Sequence, residues 1–215
     1  MGLVAGVVMF SEMLEPVTVC PGMVLLPRFS QPVELRPLLD RIMADAPLRH
    51  MKTPGGHSMA AAMTNCGRWG WVSDRAGYRY AEEDPDSGLA WPAMPDAFLS
   101  LAANAAEAAG YPDFVPDACL VNCYRAGAGM GAHQDKNESD FSQPIVSVSL
   151  GLPARFFVQG AERKGKSTAF DLQSGDVLVF GGESRLFYHG VRPLKPGTDS
   201  VYGDVRINLT MRRAY

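Results

Sequence analysis

The tripeptide His133-Gln134-Asp135 is the part of this sequence best suited to binding a metal ion. If the segment is extended, residues two apart point to the same face, so the imidazole and the carboxylate converge. A third ligand must come from elsewhere, and His189 lies on a β-like run between Gly182 and Pro193. Two histidines and one carboxylate form a facial triad with open positions, the arrangement for Fe(II) that activates O₂. For the tripeptide alone, the alternative is a hydrogen-bonded pair in a loop.

The last strand-like run of the chain places polar side chains on one face, among them Arg206, Asn208 and Arg212. The two arginines are six residues apart and span roughly 20 Å of strand, so they can lean inward and bind both ends of a dicarboxylate. Upstream, Asn122 and Tyr124 share a strand face and offer an amide and a phenol to the same anion. An open iron site beside these groups suggests 2-oxoglutarate, although an ordinary surface strand would show the same alternation.

The segment Thr53–Trp91 combines aromatic residues and methionines with frequent glycines, and its aromatic residues include Trp71 and Tyr78. This composition predicts hairpins or loops that could form a lid, because binding residues concentrate on loops held by a rigid scaffold. Core-edge strands with ordinary aromatic packing are the alternative.

Two amphipathic helices flank this segment and would support the site. The first follows Ser30-Gln31-Pro32 and ends before Pro47, and Pro37 inside its pattern leaves open a start at that residue. The second runs from about Asp96 to Ala109, where a glycine and a proline follow.

Beyond Pro116 the chain changes to short alternating, β-branched and aromatic stretches bounded by turn residues. These predicted strands are Cys119–Tyr124, Ile145–Leu152, Arg155–Val158, Ala169–Leu172, Val177–Phe180, Leu186–Val191 and Arg206–Arg212. The sequence therefore predicts an α+β domain in which two helices support a C-terminal antiparallel sandwich or barrel of about seven or eight strands.

The length of 215 residues, with 47% hydrophobic and 20% charged residues, excludes a disordered or coiled-coil chain. The formal net charge of −3 excludes a protein that coats nucleic acid through overall positive charge, but not a local basic groove. No run approaches the roughly 18–20 apolar residues of a membrane helix, and Gly2–Phe10 lacks the basic flank of a secretory signal. Four cysteines without a CxxC pair are expected to be reduced thiols. We therefore expect a cytoplasmic protein with no membrane partner.

Sequence motifs spread over about Arg49 to Arg212 resemble those of one known family. They are Thr53-Pro54-Gly55-Gly56, Met63-Thr64-Asn65-Cys66-Gly67, Gly77-Tyr78, Trp91-Pro92-Ala93-Met94-Pro95, Ala109–Phe114, Pro116–Leu120, His133-Gln134-Asp135-Lys136, Pro144–Pro153, Gly181–Gly190 and Asn208-Leu209-Thr210. In combination they resemble the bacterial AlkB family of Fe(II)/2-oxoglutarate-dependent nucleic-acid dealkylases. The first forty or so residues resemble that family only loosely.

The resemblance implies a double-stranded β-helix (jelly-roll) core with supporting N-terminal helices and a nucleotide-recognition lid. We divide the single expected domain, residues 1–215, into an N-terminal extension and helix (1–48), the lid (49–95), a supporting helix (96–115) and the dioxygenase core (116–213).

The resemblance also implies a role for each polar residue of the site. His133, Asp135 and His189 are the expected iron ligands and catalytic centre. The distal carboxylate of 2-oxoglutarate is expected to be held by Tyr124, Arg206 and Asn208. Its other end, near the iron, is expected to meet Asn122 and Arg212.

For the substrate, the resemblance implies that Trp71 and Tyr78 belong to the lid over the base and the nucleic-acid backbone. The residue types agree, since an aromatic platform can stack a flipped base, with His133 as the opposite wall. Arg163 falls near a substrate-contacting arginine of the family, whereas the alternative is a solvated hairpin tip. Bacterial relatives often have an acidic residue two positions after the metal-binding aspartate, and this chain has Asn137 there. Its amide brings no negative charge toward a cationic methylated base, and Glu138, the possible substitute, would face the other way on a strand.

The activity implied is oxidative dealkylation of N-alkylated bases of the 1-methyladenine and 3-methylcytosine type. The cofactors are Fe(II), 2-oxoglutarate and O₂, and the products include formaldehyde, succinate and CO₂. The expected partner of this monomer in direct-reversal repair is alkylated single-stranded DNA, with RNA left open.

Three other functions remain compatible with the residues. They are a 2-oxoglutarate oxygenase acting on a protein or small molecule, a non-catalytic binding module with the same fold, and a His₂Asp zinc hydrolase. The zinc hydrolase would leave the two arginines of the last strand unexplained.

Overall fold

A computed structural model describes residues 14–215, and the apolar run Gly2–Phe10 lies outside them. The described strands are β1 (Val17–Cys20), β2 (Met23–Leu26), β3 (Ala62–Gly67), β4 (Gly70–Asp74), β5 (Gly77–Ala81), β6 (Ala118–Arg125), β7 (Met130–His133), β8 (Ile145–Gly151), β9 (Ala154–Gly160), β10 (Thr168–Leu172), β11 (Val177–Phe180), β12 (Tyr188–Val191) and β13 (Val205–Arg212). The helices are α1 (Pro32–Asp45) and α2 (Asp96–Ala108), and a short 3₁₀ helix covers Gly182–Leu186. Within this described part, no helix is long and apolar enough to span a membrane.

Both helices pack on the outer face of the larger sheet. In α1, Leu35, Leu39 and Ile42 recur at helical spacing and are buried in the main core. The helix begins at Pro32 and not at Pro37, because a proline in the first turn needs no N–H partner and Pro37 removes only one internal hydrogen bond. The predicted second helix, Asp96 to Ala109, is confirmed to within one residue.

Two antiparallel sheets form the body of the protein. The larger sheet has the order β1-β2-β11-β8-β13-β6-β3, and the smaller has the order β10-β9-β12-β7. Apolar residues of both sheets, such as Phe156 on β9 and Leu178 on β11, meet in one buried cluster. This arrangement agrees with the expected jelly-roll core of an α+β fold.

Alternation along β13 gives its two faces different roles. Ile207, Leu209 and Met211 lie in the core cluster that α1 and α2 cover. The residues between them therefore point to the opposite face, where the smaller sheet lies. The face of β13 away from the helices is thus the one that carries polar side chains.

All seven predicted strands are present, with one shortened element. The run Leu186–Val191 begins as a strand only at Tyr188, because the preceding residues form the 3₁₀ helix. The sequence analysis did not predict β7, which has only four residues, one of them a glycine. The larger sheet also takes β1, β2 and β3 from before residue 116, so the boundary at 116 does not coincide with the edge of the sheet.

Strands β4 and β5 pair as a separate hairpin, which we call the lid hairpin. Its register places Trp71 opposite Tyr80, so these two side chains lie on the same face. Gly70 begins the hairpin against the ring of Trp91, where a Cβ would collide with the indole. Val72 and Trp91 join a buried cluster of the body, which anchors the base of the hairpin.

Candidate functional site

Neighbouring strands of the smaller sheet bring together three side chains that could hold a metal ion. His133 at the end of β7 is the direct register partner of His189 on β12, and Asp135 follows two residues after His133. The His133 Nε2 lies 3.8 Å from one carboxylate oxygen of Asp135, and the His189 Nε2 lies 3.7 Å from the other. The ligand atoms lie within 4.8 Å of one another, so one metal ion can contact all three.

Backbone carbonyls orient both imidazoles. The Nδ1 of His133 lies 3.0 Å from the carbonyl oxygen of Gly131, and the Nδ1 of His189 lies 2.9 Å from that of Phe187. A carbonyl only accepts hydrogen bonds, so each Nδ1 carries the hydrogen and each Nε2 keeps its lone pair. Both lone pairs therefore point toward Asp135, as metal ligation requires.

The charges around the triad favour its metal-binding form. Burial alone would raise the pKa of Asp135, but Arg212, His189 and His133 together hold that pKa well below its usual range. Burial, and then the neighbouring His133, lowers the pKa of His189 to about 4. At neutral pH Asp135 is therefore a carboxylate and His189 is neutral, which is the protonation state that binds a divalent metal.

The triad opens into a cavity of about 540 Å³, a size suited to small ligands. The cavity is lined by the triad and by further residues that the sequence analysis singled out, namely Trp71, Tyr78, Asn122, Tyr124, Asn137, Arg163, Asn208 and Arg212. Arg206 alone of the predicted site residues does not line it. The fold thus gathers all but one of the predicted residues around one space.

The register of β13 with β6 brings the predicted anion-binding residues together. Asn208 pairs with Asn122, and Arg206 pairs with Tyr124. The Arg206 guanidinium is buried and donates one hydrogen bond to Ser149 Oγ, at 3.1 Å, while its Nε and Nη1 have no partner. Burial lowers the pKa of Arg206 to about 10, so it is charged at neutral pH.

Buried polar atoms without partners are costly, and the two unpaired nitrogens of Arg206, which are donors, fit a carboxylate ligand. Besides the two nitrogens of Arg206, the Oδ1 of Asn122 also has no partner. Tyr124 is fully buried beside them, and burial raises the pKa of its phenol to about 12, so it is a neutral donor. A charged guanidinium fork with a phenol is a suitable site for one end of 2-oxoglutarate.

Arg212 is held more closely to protein groups than the sequence suggested. Its Nη2 lies 2.8 Å from Asp135 Oδ2, and its Nε lies 3.5 Å from Glu138 Oε1. Burial alone would lower the pKa of Arg212, but Asp135 and other anionic neighbours raise it above its ordinary value. Arg212 therefore lines the cavity as a permanent cation that also holds the Asp135 carboxylate.

The lid hairpin supplies an aromatic wall. Trp71 and Tyr78 stack with ring centroids 5.6 Å apart and planes 16° apart, and Tyr78 is 45% exposed. The Trp71 indole Nε1 donates to Asn137 Oδ1 at 3.0 Å. Asn137 thus uses its carbonyl oxygen to hold the lid, and Arg163 lies exposed at the cavity.

Glu138 faces away from the base pocket, which agrees with the orientation that the sequence analysis predicted for it. It is buried, forms an ion pair with Arg185 at 3.0 Å and accepts a hydrogen bond from the Tyr80 hydroxyl at 2.5 Å. The sequence analysis assigned no role to Tyr80 or Arg185, the two residues that bind Glu138. Their only sequence signal is chemical type, because the contact with Arg185 joins residues 47 positions apart.

Comparisons with known proteins agree with this geometry. The model of the 2OG-Fe(II) oxygenase superfamily matches residues 22–212. The chain is 51% identical over 195 residues to alpha-ketoglutarate-dependent dioxygenase AlkB of Escherichia coli (strain K12), with 90% of each chain covered. It is 33% identical over 130 residues to the human nucleic acid dioxygenase ALKBH1, covering 60% of this chain and 33% of that protein.

Solved structures with a similar fold include members of the same superfamily. The structure of OsALKBH1 matches with a TM-score of 0.81 and 30% sequence identity, covering 92% of this chain and 99% of that one. A 2OG-Fe(II) oxygenase family oxidoreductase from Burkholderia pseudomallei matches with a TM-score of 0.56 at 19% identity, covering 89% and 84%. The second likeness concerns the fold alone.

Proposed function

The chain belongs to the AlkB family of the 2OG-Fe(II) oxygenase superfamily, and on this premise we propose which of its residues perform the reaction. It is an Fe(II)- and 2-oxoglutarate-dependent dioxygenase that oxidatively dealkylates nucleic acids. The observation that carries the assignment of residues is the buried Arg206, which has two unpaired N–H groups in a fold that also builds an open His₂Asp triad.

His133, Asp135 and His189 would hold Fe(II), with the imidazoles oriented by backbone carbonyls. When bound there, Fe(II) with 2-oxoglutarate and O₂ would supply the oxidising chemistry for an N-methyl group, with formaldehyde, succinate and CO₂ as the products. Arg212 keeps Asp135 ionised and in place. The protein contributes orientation and electrostatics.

The co-substrate lies along β13 and β6. Arg206, Tyr124 and Asn208 hold the distal carboxylate, and Asn122 with Arg212 meets the end near the metal. The unpartnered Nε and Nη1 of Arg206 support this placement, because they are donors that an anionic carboxylate would satisfy.

The substrate is an N-alkylated base of the 1-methyladenine or 3-methylcytosine type in single-stranded DNA, with RNA as a second polymer to test. The aromatic wall of Trp71 and Tyr78 offers a stacking surface to a base turned out of the strand, and His133 forms the opposite side. Asn137 and Arg163 stand at the cavity as further substrate contacts. The enzyme acts as a cytoplasmic monomer.

The test incubates the protein with Fe(II), 2-oxoglutarate, O₂ and an oligonucleotide that contains 3-methylcytosine, and follows the oligonucleotide by mass spectrometry. We expect loss of the methyl group's mass together with succinate. No loss from either a 3-methylcytosine or a 1-methyladenine oligonucleotide would refute the substrate assignment. Succinate production stimulated by a protein or a small molecule, and not by nucleic acid, would instead identify another class of oxygenase.

A further inference from the structure

The lid hairpin is fastened to two consecutive residues that follow the metal ligand Asp135. Trp71 and Tyr80, register partners on one face of the hairpin, reach Asn137 and Glu138 respectively. The bond from Trp71 lies at the exposed mouth of the cavity, whereas the bond from the Tyr80 hydroxyl to Glu138 is buried. The inner bond is therefore the one shielded from competition with water.

Glu138 extends this connection to the backbone of the metal ligand. Its second carboxylate oxygen pairs with Arg185 Nη2 at 3.0 Å, and both side chains are 2% exposed. Arg185 donates through Nη1 to the carbonyl oxygen of Asp135 at 2.8 Å and through Nε to that of Gln143 at 2.9 Å. One continuous set of buried and partly buried hydrogen bonds thus runs from the lid hairpin to the segment that contains Asp135.

We propose that Tyr80, Glu138 and Arg185 form a positioning relay that holds the lid hairpin and Asp135 in one fixed geometry. None of the three lines the cavity, so they act through the residues that do. A buried ion pair is often no more stabilising than apolar residues of the same volume, so stability alone does not account for the pair of Glu138 and Arg185. What such a pair does provide is directional contacts, here to the lid on one side and to the metal ligand on the other.

The relay rests on the proposed function for its catalytic consequence only. A base stacked on the lid is presented to the metal centre correctly when the lid and Asp135 keep their relative position, since small misplacements lower rates strongly. With the relay weakened, 2-oxoglutarate would still be consumed, but fewer turnovers would reach the base. The ratio of formaldehyde to succinate measures this loss.

The first test removes one hydroxyl and measures hydrogen exchange in the metal-free protein. The variant is Tyr80→Phe, and the matched control is Tyr202→Phe, since Tyr202 is equally buried and its hydroxyl donates to the Pro32 carbonyl at 3.0 Å, away from the site. We expect about tenfold faster exchange in the hairpin residues 70–81 for Tyr80→Phe and no change there for the control. Unchanged hairpin exchange, or equal changes in both variants, would overturn the relay.

The second test measures formaldehyde and succinate from the same variants on a 3-methylcytosine oligonucleotide. Tyr80→Phe should lower the formaldehyde-to-succinate ratio at least about twofold and raise the KM for the oligonucleotide, while the control keeps both wild-type values. Faster hairpin exchange with an unchanged ratio would reduce the three residues to a purely structural role and refute the proposal. If the wild-type enzyme itself leaves the oligonucleotide unchanged, the proposed substrate fails, whereas unchanged hairpin exchange in Tyr80→Phe contradicts the relay whatever the substrate is.

Discussion

At the scale of single residues, several side chains of the site use one polar atom in a hydrogen bond to the protein and keep another polar atom available for a ligand. The imidazoles of His133 and His189 each use Nδ1 on a backbone carbonyl, which leaves Nε2 free to bind the proposed metal. Arg206 follows the same logic, since Ser149 holds one of its nitrogens and the other two remain unpaired. Such half-satisfied groups are expensive when buried, and a ligand that pairs with them gains correspondingly.

Replacement of Arg206 should therefore act on 2-oxoglutarate binding. We expect Arg206→Ala to raise the KM for 2-oxoglutarate by about 10- to 150-fold, the equivalent of one charge-assisted hydrogen bond. The value of kcat at saturating 2-oxoglutarate should change less. Initial rates of succinate formation check this, with Arg155→Ala as control because Arg155 is exposed on β9 and lines no part of the cavity. An unchanged KM would contradict the assignment of Arg206.

The buried His189 should make the metal-free protein less stable in mild acid. Its pKa is about 4 in the folded protein, because of burial, and 6.5 ordinarily. Well above pH 6.5 the His189 side chain is neutral in both the folded and the unfolded protein, so it makes no contribution to the pH dependence of the free energy of unfolding. As the pH falls from 6.5 toward 4, the unfolded chain takes up a proton that the folded protein refuses, so the free energy of unfolding falls by up to about 3 kcal/mol.

Urea unfolding between pH 7 and pH 4.5 measures this decrease. The variant His189→Asn should flatten the pH dependence, whereas His57→Asn, in an exposed loop, should leave it as in the wild type. Asp135 contributes little to the decrease over this pH range, because in the unfolded chain its carboxylate takes up a proton only near its ordinary pKa of 3.8. The same slope in the wild type and in His189→Asn would show that His189 is not the group responsible.

The sequence allowed prediction of site residues that lie close together along the chain, but not of residues whose partners are distant in the sequence. The two-residue spacing of His133 and Asp135 converges on an extended segment without any knowledge of the fold. Glu138 has no such pattern, since its partners Tyr80 and Arg185 lie 58 and 47 residues away. Alternation along a strand predicted that the carboxylate faces away from the base, but only the packed structure shows that a buried arginine neutralises it.

At the scale of secondary structure elements, register determines which residues meet. Strands β6 and β13 were predicted from alternation, and their pairing places Asn122 opposite Asn208. Strand β7 could not be predicted, because its four residues include glycine and lack β-branched side chains, and pairing with β12 alone defines it. Nor does local pattern show that β1, β2 and β3 join the larger sheet, since sheet order is a long-range property.

The lid hairpin should affect nucleic-acid binding separately from the metal centre. We expect Trp71→Ala to weaken oligonucleotide binding by about 5- to 150-fold, the value of one base–aromatic stack. Consumption of 2-oxoglutarate in the absence of nucleic acid should remain close to wild type, because the indole does not contact the triad. Fluorescence anisotropy and succinate assays check both expectations, with Trp69→Ala as control since Trp69 is absent from the cavity wall. Equal loss of both activities would indicate that the hairpin supports the fold of the centre itself.

At the scale of the whole molecule, the net charge of −3 bears on how the substrate is held. A protein with this charge gains little from long-range attraction to phosphates, so stacking on the lid and a few local cations must supply binding. Two exposed cations, Lys136 and Arg163, lie at the cavity. Binding through two or three phosphates predicts a slope of log K against log salt concentration of about −1.4 to −2 for a single strand.

Affinity for a methylated oligonucleotide, measured at several salt concentrations, gives this slope. The charge reversal Arg163→Glu should make it shallower by at least about 0.7 if Arg163 neutralises one phosphate, whereas Arg125→Glu, at an exposed position outside the cavity, should leave it unchanged. A wild-type slope of −4 or steeper would correspond to about six phosphate contacts. Such a footprint would require a basic surface well beyond the cavity mouth, and the small contact area inferred from the charge would then be wrong.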